Sequence, residues 1–211
     1  MEYTATDFWH WFADNSSAYL FVNQVAEPER ERLFALLIEQ LHRYCAHLWF
    51  EIGGHPDENQ ELIITAEGDI NYFGKVTELV AQAPALAQWK FVAFKPPMGA
   101  DFSVRFADVE LTPANMWFLP LSRDDSAALI GLRVGVRNYE QVKDSEWLDS
   151  TLAKVLDTLL GEVSYALDID YVELAPLPDE PEAAGMMKLE ELPGYVAWHK
   201  KQDFSAQGEG A

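Results

Sequence analysis

The stretch that most constrains the fold is 48–97. Near its middle lies an apolar run, Glu61–Ala66 (ELIITA), bracketed by Gly53-Gly54 on one side and by Glu67-Gly68-Asp69 on the other. A short run of this kind, with β-branched side chains and turn residues at both ends, predicts a strand covered on both faces. Upstream, Leu48, Phe50 and Ile52 alternate with Trp49 and Glu51, the period of a half-covered strand. Downstream, Asp69 can cap a helix that runs through Ala83, with Phe73, Val76, Leu79 and Val80 on its inner side and Pro84 at its end. Trp89–Phe94 reads as a third strand, stopped by Pro96-Pro97. The order is strand–strand–helix–strand.

That order recurs. Met116–Leu121 reads as a strand, Ser122–Ser126 as a polar turn and Leu129–Val136 as a second strand. In the latter, Ile130, Leu132, Val134 and Val136 share one face, and Gly131, Arg133 and Gly135 share the other. Two glycines on one strand face predict a bulge or a closely packed neighbour. A helix capped by Asp144 or Ser145 carries the stripe Leu148, Leu152, Val155, Leu156, Leu159 and Val163, and Ile169–Leu174 follows as a strand. Segments 48–97 and 116–178 thus form a pseudo-repeat in order of elements, though hardly in residues. Phe102–Leu111 reads as an extended excursion between them.

Two helices precede the first block. In residues 28–47, Pro28 suits the first helical position and Glu29 and Glu31 the positive end of the dipole. Phe34, Leu37, Ile38, Leu41, Tyr44, Cys45 and Leu48 make its stripe. Residues 7–15 read as a shorter helix capped by Asp7, on which Phe8, Trp9, Trp11 and Phe12 span roughly 160°. Such a face either plugs one side of a sheet or offers an aromatic patch, centred on Trp9 and Trp11, to a partner.

The expected fold class is α+β: a mainly antiparallel sheet from two strand–strand–helix–strand units, with helices packed on it and an N-terminal helical layer. Residues 1–178 read as one domain. Residues 179–211 read as an acidic linker and C-terminal tail, with Tyr195 and Trp198 able to dock back.

Thirty-five acids against fifteen bases give a net charge of −20. That field repels phosphate backbones, so nucleic acid is not an expected partner. It suits solubility or a basic protein partner. The single cysteine, Cys45, permits no intrachain disulfide and fits a reducing compartment. The N-terminus has no signal-peptide pattern, and no apolar run approaches the ~18 residues of a membrane span. The expected location is cytoplasmic.

Candidate chemistry is sparse. His42 and Cys45 lie within one helical turn, but His47 is roughly 140° from His42 around the same helix, which argues against a shared metal. His55, Asp57 and Glu58 share a turn, and Asp168 and Asp170 flank a strand start; both groups are ordinary on so acidic a surface. The best local candidate is Glu67-Gly68-Asp69, between a central strand and a helix start, with Lys95 at the end of a neighbouring strand. These residues either cap the helix, with Lys95 anchoring Glu67 or Asp69 or reaching past them to solvent, or face a ligand. There is no G-x-S-x-G, H-E-x-x-H, P-loop or G-x-G-x-x-G. No metal, cofactor or catalytic residue is expected, and the reading leans away from an enzyme.

Two pieces together carry a resemblance: FWHWFADN at 8–15, and LIITAEGD…F..V..LV..AP.L..W..VAFKPP from Leu62 to Pro97. They resemble a family of uncharacterised bacterial proteins with the same aromatic opening and strand–helix–strand block. The resemblance covers roughly the first hundred residues. It implies a bacterial cytosolic protein with an α+β sheet fold, and no reaction or cofactor.

The functional expectation is a non-catalytic acidic interaction module that binds a protein partner or a second copy of itself. The alternative is a small-ligand-binding or enzymatic domain with a pocket near Glu67, Asp69 and Lys95.

Overall fold

The computed structural model describes residues 3–54, 58–121 and 129–208. His55 and Asp57, and the turn expected at 122–126, lie outside the described residues. The fold is α+β with mostly antiparallel strand pairs and an N-terminal helix. The chain divides into two compact units, Met1–Lys95 and Pro96–Ala211.

The first unit opens with α1 (Ala5–Asn15). Its N-cap is Thr4 rather than the expected Asp7. The Asp7 amide donates to Thr4 Oγ1 at 3.3 Å and the Thr4 amide donates to Asp7 Oδ2 at 2.9 Å, a reciprocal capping box that satisfies two otherwise unpaired donors. Phe8, Trp9 and Phe12 are buried. Phe12 meets Trp89 and Phe91 edge-on at 5.1 and 5.7 Å, and Trp9 meets Phe91 at 4.6 Å. The aromatic face is therefore core. Two 3-10 turns lead to α2 (Glu27–Tyr44), which buries Leu33, Leu37 and Leu41. Then come β1 (Trp49–Gly53), β2 (Gln60–Thr65), α3 (Phe73–Ala81) and β3 (Trp89–Ala93). Strand β2 is central, antiparallel to β1 and parallel to β3. Leu62 and Ile64 enter the core on one face, and Ile63 and Thr65 on the other face are buried as well.

The second unit begins with a hairpin, β4 (Val104–Phe106) and β5 (Val109–Leu111). It continues with β6 (Met116–Leu121), β7 (Ile130–Val136), the single turn α4 (Tyr139–Val142), α5 (Leu148–Leu160), α6 (Glu162–Asp168) and β8 (Ile169–Pro176). The strand–strand–helix–strand order recurs here with the same pairing: β7 is antiparallel to β6 and parallel to β8. The expected single helix is two, because Gly161 turns to a φ of +77° between α5 and α6. That break rotates Val163 off the inner stripe, and it is 38% exposed.

The expected pooling of both blocks into one sheet does not occur among the described strands. Each unit keeps its own sheet and its own buried cluster, since its helices already cover the apolar face. Nor is 179–211 simply a linker and tail. Met187–Lys188 forms β9, which pairs with β6 at Trp117 and Phe118 and occupies an otherwise open edge. Helix α7 (Leu192–Gly208) follows, and Leu189, Leu192 and Val196 are buried in the second unit's core.

Both strand glycines are explained. A register shift lies at Ile130/Gly131 in the β7–β8 ladder. A Cβ on Gly135 would stand 2.9 Å from Leu177 Cδ1 and 3.0 Å from Met186 Cε, where the segment after β8 crosses this face. Gly135→Val is expected to cost about 1–3 kcal/mol by overpacking, read as a lower urea midpoint with unchanged slope.

Tyr19 gives a pH test of the first core. It is 1% exposed, and its hydroxyl donates to the Leu33 carbonyl at 3.0 Å. Burial pushes its pKa up to about 12. The folded state therefore keeps a proton that the unfolded chain releases near 10. This contribution is complete below pH ~10 and is lost as pH rises toward ~12. Tyr19→Phe should flatten that part of the stability–pH curve, measured by urea titration at successive pH values.

Candidate functional site

The expected site residues fall in two places, both in the first unit. Trp9 is 3% exposed, and its indole Nε1 donates to the Leu79 carbonyl at 2.7 Å, so it offers no surface to a partner. Trp11 is half-buried against Phe8 and Tyr19. The indole nitrogen of Trp9 is thus spent on closing α1 over α3.

Glu67, Asp69 and Lys95 gather at the C-terminal ends of the parallel strands β2 and β3. Lys95 Nζ stands 3.0 Å from Glu67 Oε2, an ion pair whose lysine is nearly covered and whose glutamate is half open to solvent. Asp69 caps the 3-10 turn Ile70–Tyr72, accepting from the Asn71 amide at 3.1 Å, and α3 follows that turn. The chain bends sharply here. Glu67 has a φ of +52°, Gly68 of +83° and Phe94 of +67°, all in the left-handed region. The bend turns Glu67 back toward Lys95, while the Glu67 amide donates to Thr65 Oγ1 at 2.9 Å. Capping and anchoring account for the polar groups described at this corner.

The other candidate clusters are dispersed. His42 Nε2 lies 3.1 Å from the Leu48 carbonyl, whereas the His47 ring stacks on Tyr72 at 3.9 Å. Asp168 accepts from Ser164 Oγ and from Lys200 Nζ, each at 2.6 Å. No group of three His, Cys, Asp or Glu side chains converges among the described residues.

A different site arises in the second unit, at the end of β7. There the hairpin exit at Glu110, Leu111 and Thr112, the junction Asn115–Met116, and Val136, Arg137 and Asn138 enclose an open cavity of about 520 Å³. Register creates it: Met116, the first residue of β6, lies opposite Val136, the last of β7, so both flanking loops emerge at one end of the sheet. Leu111, Met116 and Val136 lie beneath it and are almost wholly buried, so the accessible lining is more polar than apolar. The Ser103 and Thr112 hydroxyls, 2.6 Å apart, hold the hairpin exit. Arg137 also lines a second cavity of about 320 Å³, with Trp117, Glu180, Pro181, Glu182 and Ala183.

What distinguishes this cavity is unspent hydrogen-bonding capacity. The Arg137 guanidinium is exposed and makes no hydrogen bond or ion pair with any described residue. Asn138 begins α4 without a side-chain cap, and the Asn115 side chain is likewise unpartnered among the described residues. Elsewhere at least nine bases are held by acids of the same chain. Sequence reading did not single out Arg137. The only signal was an arginine directly after a strand of buried residues, in VGVRN.

No family model, curated protein or solved structure matches the chain. Among the described residues no helix is long and apolar enough to cross a membrane.

The strand-end corner makes a testable backbone claim. Glu67 adopts a conformation that costs a residue with a Cβ about 1–2 kcal/mol and glycine almost nothing. Both Glu67→Ala and Glu67→Gly lose the Lys95 pair, yet the glycine variant should be the more stable by about 1 kcal/mol in urea unfolding. Equal stability would contradict the backbone account.

Proposed function

We propose that this chain is a small-ligand-binding module whose ligand sits in the Arg137 cavity. The observation that carries the reading is the convergence of Arg137, Asn115 and Asn138, with no side-chain partners among the described residues, on one open cavity of about 520 Å³. Ligand cavities have volumes of about 300–1,000 Å³ and use a few placed polar groups to fix orientation. A guanidinium held at a strand end is a planar donor fork for a carboxylate or another planar acceptor. This cavity lies in the second unit, whereas Glu67, Asp69 and Lys95 belong to the first. The test is a thermal-shift screen with small metabolites, run on the wild-type chain and on Arg137→Gln in parallel. Compounds that raise Tm in the wild type and not in the variant support the reading. Absence of any Arg137-dependent shift overturns it.

A second reading rests on the charge. With a net charge of −20 and at least nine of fifteen bases already in internal ion pairs, most acids face solvent uncompensated. We propose on that ground an acidic surface that associates with a basic protein partner in the cytoplasm of a bacterium and that avoids nucleic acid. The resemblance of 8–15 and 62–97 to bacterial proteins supports the setting. Association of this type weakens steeply with salt because exposed charges are screened over about 10 Å at 0.1 M. Cross-linked complexes that survive 1 M NaCl unchanged would argue against a charge-driven partner.

A further inference from the structure

The charge around the Arg137 cavity narrows its ligand to one chemical class. Arg137 stands among carboxylates on both sides: Glu110 lines the first cavity, and Glu180 and Glu182 line the second. None of these acids makes an ion pair with Arg137, so no carboxylate oxygen of the three lies within 4.0 Å of the guanidinium. Glu110 also has no ion pair with Arg105, the residue across the β4–β5 hairpin from it. One cavity therefore is lined by a cation and an anion that do not neutralise each other.

A simple anion gains the guanidinium but meets Glu110 and the field of a chain at −20. A simple cation gains the acids but leaves Arg137 unused. A small molecule with a carboxylate and an ammonium a few bonds apart satisfies both groups and is net neutral in that field. We infer that the ligand of the Arg137 cavity is a zwitterion of the α-amino acid class. Its carboxylate takes the Arg137 fork and its ammonium faces Glu110. Asn115 and Asn138 each carry an amide donor and an acceptor, and complete the pairing of both polar ends. The volume of about 520 Å³ leaves room for a side chain beyond the charged head. This assignment rests on the ligand-binding reading of the same cavity.

The experiment separates the two. Isothermal titration of the full chain with the standard amino acids, aliphatic ones first, identifies the tightest zwitterion. Its carboxyl-amide and its N-acetyl derivative are then titrated in the same buffer. The expected result is a loss of at least tenfold in affinity for both capped forms. Arg137→Gln should remove binding of the zwitterion, and Glu110→Gln should weaken the zwitterion at least tenfold while leaving the N-acetyl form unweakened. Both positions are exposed, and an unchanged circular dichroism spectrum checks the fold of each variant. If the N-acetyl form binds as tightly as the zwitterion and Arg137→Gln removes both, the zwitterion assignment fails and the cavity stands as a carboxylate site. If no amino acid binds, the assignment fails whatever the wider metabolite screen finds. If binding is unchanged by Arg137→Gln, both the assignment and the cavity reading fail.

Discussion

A parallel strand pair cannot be closed by a tight turn, and each unit of this protein is built around one. Joining β2 to β3, or β7 to β8, requires the chain to leave the sheet, cross a face and return. The crossing element is a helix, and its apolar stripe must lie on the strands it joins. Val76 and Leu79 of α3 fill that role, while Leu152, Val155, Leu156 and Leu159 of α5 share a buried cluster with β7 and also meet the β4–β5 hairpin. The central strand is then covered on its helix side, while its antiparallel neighbour arrives by a short connection. Most of the core in both units follows from that one requirement.

The opposite faces are handled differently. In the second unit, Gly131 and Gly135 let other chain segments approach the strand, and the segment after β8 crosses with Leu177 and Met186 above Gly135. Arg133, between the two glycines, stays exposed and pairs with Glu173 on the neighbouring strand. In the first unit, polar groups gather instead at the strand ends, where left-handed turns at Glu67 and Phe94 bring Glu67 and Lys95 together. A cation and an acid that looked like ligand groups act there as a clasp between adjacent strands.

The Arg137 cavity is a by-product of the same architecture. An antiparallel strand pair that ends in register leaves both flanking loops at one end of the sheet, and the β5 exit adds a third wall. Arg137 and Glu110 come from segments far apart in sequence and are oppositely charged, yet neither neutralises the other.

The sequence by itself determined the order and type of most elements. Alternation, apolar periodicity and turn residues are local signals, and they marked the doubled strand–strand–helix–strand block, the two-sided burial of β2 and the close approach at Gly135. Local signals also fixed the capping role of Asp69, because an aspartate at a helix start acts within its own turn. They misassigned the cap of α1 to Asp7, which is the N3 member of a Thr4-x-x-Asp7 box whose N-cap is Thr4. Whether Trp9 faced solvent or core was decided only by tertiary structure, through Leu79, which lies 70 positions away and accepts its indole proton. Tertiary structure also decided that residues after 186 enter a core, since the free edge of β6 that recruits Met187–Lys188 is a property of a folded sheet. The Arg137 cavity belongs to the same class. Its residues carry no motif, and their meaning depends on which neighbours the fold does not give them.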